Sequence, residues 1–424
     1  MIVQDFGGLD VFSLSGDFAQ LPAVMGSPLY QRSYEAADVD KEGSSSSEYD
    51  DDDRRPSRRA KRNRKPLKQK PHAMENNLGL DRFHQSFDKA VILNESCRQA
   101  IHHDSPEKEE TDHFFNGFLS SERKGEMTKD QEDRFNDMTL IDPTSQEYKD
   151  HWENVLHVFP HVASVAKHNT TMLFHHFDVN EVFDASPIFT ENTLPVLTTD
   201  ALAVIGKKSR AEYELKLANG APVLVTMNQI PAKWNVVNGT VGTVVGWIAS
   251  NTRHPSAILV HIEDAKCDIP DMTVDDGHGG KRTFHRVFAV EREYASISFK
   301  DDKRRKRKFG TFYFPVMLSY ACTIHKVQGM TIEEIVVDVK EAWSALMIYV
   351  ALSRVRNIKN IKMLSPLDRR IINAFKGSDE EKKIRKEIEI YKNNMKSLIS
   401  DLVSSGWLPD DYLGMLSEIE GYDV

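Results

Sequence analysis

Residues 9–14, LDVFSL, form a short apolar run that closes on Ser-Gly-Asp-Phe. A strand of that kind suits a buried parallel sheet, where functional loops leave the carboxyl ends of the strands. The pattern recurs along the chain. KAVILNESCRQ at 89–99 reads as a short strand and a loop, and ALAVIG at 201–206 and APVLVTMN at 221–228 read as buried strands. VLHVFPHVASVAKHN at 155–169 reads as a strand, a turn at Pro160 and the start of a helix, after a polar, helical stretch over 105–150. Buried strands alternating with helices make an α/β chain.

The texture changes at residue 236. VVNGTVGTVVGWI, SAILVHI, RVFAVEREYASISF and KFGTFYFPVML are short β segments broken by Gly and Asn turns. They predict a small antiparallel barrel or sheet over about 236–315. Within it, DDKRRKRK at 301–308 separates two strand-like runs as a basic hairpin tip, either a solvated loop or a contact for a phosphate backbone. TIHKVQGMTIEEIVVDV at 323–339 then reads as a turn, a helix start and a strand, and ALMIYVALSRVR at 345–356 as a helix ending in a basic loop. In the tail, Ile384, Ile388, Tyr391, Met395, Leu398 and Leu402 step by fours and threes along one helical face. That stripe either packs on its own domain or meets a partner helix.

A chain of 424 residues has room for two or three domains of ~100–200 residues each. Its net charge of -9 would argue against a general nucleic-acid binder if it were evenly spread. It is not. Residues 35–53 hold nine acids and one lysine, and residues 54–70 hold ten Lys and Arg and no acid, so the two blocks nearly cancel. This insertion carries too little apolar surface to offset its ordering entropy, and disorder is expected over 35–76. RRPSRRAKRNRKPLKQK at 54–70 resembles a bipartite nuclear localisation signal; the alternatives are a polyampholyte insertion that nothing reads and a tether for nucleic acid. Nuclear localisation is therefore expected, with mitochondria as the alternative. Cys97, Cys267 and Cys322 lie far apart without CxxC spacing, and the His pairs at 102–103 and 175–176 fit no ligand pattern, so no metal site is expected among them. No apolar run reaches the ~18 residues of a membrane span, and no membrane partner is expected.

Three stretches carry the chemistry together: GDFAQLP at 16–22, ACTIHKVQGMT at 321–331 and YVALSRVR at 349–356. A motor hydrolysing ATP between two domains needs a polar γ-phosphate sensor on one side and arginines from the other. Such arginines neutralise charge on the transferring phosphoryl group, worth ~10³–10⁵ in rate. It also needs loops that hold a single-stranded backbone through amides, hydroxyls and basic groups. Gln20 fits the sensor, because an amide both donates and accepts. Arg98 and Arg354 fit the arginines. Thr323, His325 and Lys326 fit a strand-holding loop, and Gln328 with Gly329 fits close backbone approach to phosphate.

These motifs resemble those of the PIF-type helicases, the RecD-like branch of the superfamily-one DNA helicases, and the helicase part of Helitron transposons. GDFAQLPAV is similar to the family's GDFxQLPPV, with Ala23 in place of a proline. Arg98–Gln99 ends the next motif, and VFPHVASVAKHN keeps Pro160, Val165, His168 and Asn169 of LFPTNxxVxxHN. GAPVLVTMNQIPAKWNVVNGTVGTV at 220–244, IHKVQGMT with Val327 for serine, and YVALSRVRNIKNI complete the ordered set. The resemblance implies RecA-like motor domains, the first only partial, with a small inserted β-barrel and a helical C-terminal tail. The implied boundaries are 1–34 for the end of the first motor domain, 35–76 for the insertion, 77–235 and 316–365 for the second motor domain, 236–315 for the barrel and 366–424 for the tail. It further implies ATP-dependent 5′→3′ DNA unwinding in repair, recombination or telomere maintenance, with ATP and Mg²⁺. Asp17 would join Gln328 and Gly329 at the nucleotide, and His168 and Asn169 would join the residues that hold DNA. The implied partners are single-stranded DNA and a fork or duplex; a protein partner through the tail is expected only on the partner-helix reading of its apolar stripe.

One element of such motors is missing from the sequence. GxxxxGK[ST], whose amides and lysine cradle phosphates, does not occur, and neither does the Asp-Glu pair expected before GDFxQ. Met1 falls between those two motifs and GDFxQ, so the expectation is a partial gene model of a larger helicase or a decayed copy. On either account this chain alone is not expected to hydrolyse ATP, and a DNA-binding remnant is the alternative function.

Overall fold

The computed structural model describes residues 20–21, 81, 83–92, 98–99, 101, 105–189, 214–226, 234–248, 254–264, 267–275, 281–300, 306–414, 416 and 419. The runs at 9–14 and 201–206, Asp17 and the charged insertion at 35–76 lie outside them. The chain forms two compact units, one of residues 98–119 and 128–369, the other of 1–97, 120–127 and 370–424.

The larger unit holds a four-stranded parallel sheet in the order Ala321–Thr323, His157–Phe159, Ile335–Val337, Ile361–Met363. Ile335, Val336 and Val337 are all 0% exposed, as expected where helices or loops cover both faces of a parallel sheet. The strand–turn–helix reading of 155–169 is observed: His157–Phe159 is a strand, and the helix runs Val162–His176. The polar stretch at 105–150 forms helices Pro106–Lys124, Lys129–Thr139 and Gln146–Asp150. Local chemistry sets their starts. Thr128 and Gln131 form a reciprocal capping box, and Ser145 accepts from the Tyr148 amide.

The antiparallel β region is also observed, and it reaches beyond 236–315. Its five strands run Val287–Glu291, Ala257–His261, Val241–Ile248, Pro222–Val225, Val316–Leu318. Within the 221–228 run, Pro222–Val225 forms an antiparallel strand, because its neighbours on both sides are antiparallel partners. Among the described residues no pairing joins the two outer strands into a closed barrel. Gly242 is required here: a Cβ would sit 2.6 Å from the His261 carbonyl oxygen and from side-chain carbons of Val260 and Ile262. A separate hairpin pairs Glu293–Lys300 with Lys306–Tyr313, and Ile188–Phe189 adds a third strand. The hairpin agrees with the sequence; its tip, 301–305, lies outside the described residues.

In the smaller unit the tail helix runs Asp379–Ser404, capped by Ser378, which accepts from the Glu381 amide. Of its apolar stripe, Ile384 and Ile388 are buried and Tyr391, Met395, Leu398 and Leu402 are half-buried. Residues 83–92 lie against it. The Asn394 amide donates to the Phe87 carbonyl at 3.3 Å, and Lys89 pairs with Asp401 at 2.7 Å. Residues 89–92 are not a strand, contrary to the sequence expectation: the Ile92 amide donates to Met395 Sδ rather than to a sheet neighbour. Among the described residues no helix is long and apolar enough to cross a membrane.

Candidate functional site

The helix Ala345–Leu352 is apolar all round and almost wholly buried, so its end is firmly placed. Ser353 and Arg354 follow it directly. Arg354 is 1% exposed, and enclosing a guanidinium is costly unless its donors find acceptors. Its Nε donates to the Val350 carbonyl at 2.7 Å, its Nη2 to Ser353 Oγ at 2.6 Å, and its Nη1 reaches the Met330 carbonyl at 3.5 Å. In return the Ile332 amide donates to the Arg354 carbonyl at 3.0 Å. The 330–332 turn is thereby fastened to the end of the helix.

Arg98 enters the same junction. Its Nε donates to Thr331 Oγ1 at 3.0 Å and its Nη1 to the Ser353 carbonyl at 2.9 Å. Gln99, buried, donates through Nε2 to the carbonyls of Ser353 and Val355 at 3.1 and 2.8 Å. Three motif segments far apart in sequence therefore meet at Ser353: 98–99, 330–332 and 353–355. Sequence reasoning named both arginines but not Ser353, Thr331 or the anchoring role of Gln99. Ser353 lay in plain sight within the YVALSR string; its role depends on main-chain acceptors that no string displays.

The second group of expected residues lies at the carboxyl ends of the parallel strands. Phe159 and Thr323 are paired in register at the ends of neighbouring strands. Thr323 then opens the one-turn helix Ile324–Val327, which leaves half-buried His325 and exposed Lys326 on the loop side. Burial lowers the pKa of His325, so its contribution near neutral pH is a hydrogen bond rather than a charge. The Lys326 ammonium rests on the sulfur of Met317. Gly329 has φ +82 and closes the turn in open space, while Gln328 beside it is half-buried.

His168 and Asn169 sit on the Val162–His176 helix and face inward. Asn169 is 2% exposed; its Nδ2 donates to the carbonyls of Leu318 and Ala321, and its Oδ1 accepts from the Ala321 amide at 2.7 Å. The amide is used up in holding the start of the 321–323 strand. The His168 ring stacks on His157 with centroids 4.1 Å apart, and burial pushes its pKa down to about 4. His157, wholly buried, is pushed down to about 3 and contacts Tyr148 Oη at 2.8 Å. Both rings are neutral at ordinary pH. Gln20 is half-buried in the smaller unit, and Asp17 lies outside the described residues. Among the described residues no three His, Cys, Asp or Glu side chains gather to hold a metal ion, so the implied Mg²⁺ finds no ligand set there.

No family model matches the chain. Among curated proteins it is similar to the ATP-dependent DNA helicase Pif1 of Bdellovibrio bacteriovorus, 26% identical over 265 residues, which is 62% of this chain and 49% of that protein. The ATP-dependent DNA helicase PIF1 of Xenopus laevis is 24% identical over 182 residues, covering 42% of this chain and 24% of the relative. A Bacteroides Pif1 structure bound to single-stranded DNA aligns over 70% of this chain and 60% of that one, with a TM-score of 0.46 and 20% identity. The chain spans about half the length of the Bdellovibrio relative and less of the Xenopus one.

Proposed function

We propose, from its similarity to Pif1-type helicases, that this chain carries the arginine side of an ATP-driven, 5′→3′ DNA-unwinding motor. The observation that carries the reading is the junction at Ser353, where Arg98 and Arg354 converge through hydrogen bonds to one residue and one turn. Two guanidinium groups held that close suit a single anionic target, the phosphoryl group in transfer. Arg98 is the more open of the two; Arg354, nearly enclosed, fixes the junction and adds its charge from behind. Gln20 would sense the γ-phosphate, with Asp17, Gln328 and Gly329 at the nucleotide.

Thr323, His325 and Lys326 would hold the backbone of a single strand at a fork. Asn169 serves that loop by fixing its strand, and His168 by packing beneath it. Nuclear location through the 54–70 block belongs to the same reading. A protein partner for the tail would meet the half-buried end of its stripe, Met395, Leu398 and Leu402.

A second reading, a protein that holds single-stranded DNA without hydrolysing ATP, is favoured by one observation: the sequence contains no GxxxxGK[ST] loop. The deciding experiment measures phosphate release by the purified chain with and without single-stranded DNA, and strand displacement on forks with a 5′ or a 3′ tail. Hydrolysis is not expected of this chain alone; DNA-stimulated hydrolysis that does occur, falling on the order of 10³-fold or more in Arg354→Ala, with displacement only from the 5′ tail, supports the motor reading. Salt-sensitive DNA binding with no stimulated hydrolysis supports the second reading. Hydrolysis that survives Arg354→Ala counts against the motor.

A further inference from the structure

Two loops leave the carboxyl ends of neighbouring strands in the parallel sheet, residues 160–161 after His157–Phe159 and residues 338–344 after Ile335–Val337. They are tied at their start, where the Asp338 amide donates to the Val158 carbonyl at 3.1 Å. The second loop is rigidly built. Asp338 accepts from Ser365 Oγ at 2.7 Å and from the Lys340 amide at 3.0 Å, and the Val339 amide donates to Ser365 Oγ at 3.2 Å. Val339 and Ala342 are buried, and the apolar helix starts at Ala345. From between those buried positions Trp343 projects outward, 59% exposed.

Trp343 is not alone. The His161 ring lies against it with centroids 5.0 Å apart and planes 33° apart, and Val162 next to His161 is 69% exposed. Single exposed apolar residues are ordinary. A large indole held out by a fixed loop and backed by a second ring is a different case, since it keeps a flat π face in water at a hydrophobic cost. On the other side of the His157–Phe159 strand is Thr323, paired with Phe159, followed by exposed Lys326. The aromatic pair and the strand-holding loop thus occupy three adjacent strand ends, roughly 10 Å across at ~4.8 Å per strand. Glu341, 4.0 Å from His161, rims the pair with negative charge. That disfavours a phosphate at this spot and leaves the neutral face of a base.

We propose that Trp343, backed by His161, is a stacking platform for one unpaired base of a single-stranded DNA whose backbone passes the Thr323–Lys326 loop. The proposal rests on the DNA-holding reading above and adds the base contact to it. Stacking tolerates any sequence, because every base offers a π face.

The test uses the full chain and a labelled oligothymidine, read by anisotropy over a range of salt. Trp343→Ala should weaken binding by about 5- to 150-fold, the range that removing one base–aromatic stack produces, and Trp343→Phe should weaken it less. The dependence on salt should keep its slope in both, because no phosphate contact is removed, whereas Lys326→Ala should lower that slope by about one. An oligomer of abasic sites should bind wild type and Trp343→Ala alike. Equal affinity of Trp343→Ala and wild type for oligothymidine overturns the platform while leaving the DNA-holding reading intact. Failure of the wild-type chain to bind any single strand overturns both.

Discussion

Asn169→Ala separates two roles for one residue. By motif, Asn169 belongs with groups that touch DNA; in the fold its side chain is 2% exposed and bonded three times to backbone. Truncation leaves the Ala321 amide without its 2.7 Å acceptor and deprives the carbonyls of Leu318 and Ala321 of a donor. An unsatisfied buried polar group costs about 1–3 kcal/mol, and the carbonyls retain other capacity, so the loss should be about 2–4 kcal/mol. For a domain of this size that corresponds to a fall in Tm of roughly 4–16 °C. The assay is urea unfolding followed by circular dichroism, with DNA affinity measured on folded protein at low temperature. Asn169→Asp sharpens it. The carboxyl keeps an acceptor for Ala321 but, once ionised, faces two carbonyl oxygens, so its folded pKa is raised above its unfolded value. The stability of that variant should hold below the unfolded carboxyl pKa of about 3.9 and fall as pH rises through the folded one. An Asn169→Ala protein that unfolds at the wild-type midpoint yet loses DNA affinity would refute the structural role.

His168 and His157 predict an acid-sensitive core. Their folded pKa values, about 4 and about 3, lie below the ordinary 6.5, so the unfolded chain binds protons first. Stability should therefore be complete above pH 6.5 and decline as pH falls toward 4, and comparing urea midpoints at pH 7 and 5 checks it. His168→Leu should be neutral or mildly stabilising at pH 7, because Nε2 is buried without a hydrogen-bond partner among the described residues, and it should flatten the acid limb. A steeper acid limb in that variant would contradict the reading. Gly242→Ala should cost about 1–3 kcal/mol, since the new methyl meets a backbone oxygen within a paired ladder and cannot be relieved by a side-chain rotation. Its signature is a lowered melting temperature, whereas Gly246→Ala, with its nearest neighbour at 3.6 Å, should be tolerated far better.

The sequence made some of this legible for a definite physical reason. Where a segment's environment is set by its own neighbours, as in the apolar run 335–337 or the stripe of the tail helix, periodicity suffices. Residues 89–92 and 222–225 show the limit, because apolar content does not say what a segment lies against, or whether it is covered at all. One runs beside a helix with Val91 67% exposed, and the other sits between antiparallel partners.

The same limit governs the site. A string such as YVALSR supplies donors, and Arg98 and Arg354 were recognisable as such. Their acceptors are main-chain oxygens and hydroxyls brought from elsewhere; Arg98 reaches Thr331 across 233 positions of sequence and Gln99 reaches Val355 across 256. Acceptors of that kind leave no trace in residue type, since every residue carries a carbonyl. The consequence is asymmetric. Replacing Thr331 by alanine removes only a hydroxyl, leaving the Ser353 carbonyl that Arg98 and Gln99 share. Replacing Gln99 by alanine strips a donor from two carbonyls at once, so the residue that looked like a mere companion of Arg98 should matter more to the junction than the Thr331 hydroxyl.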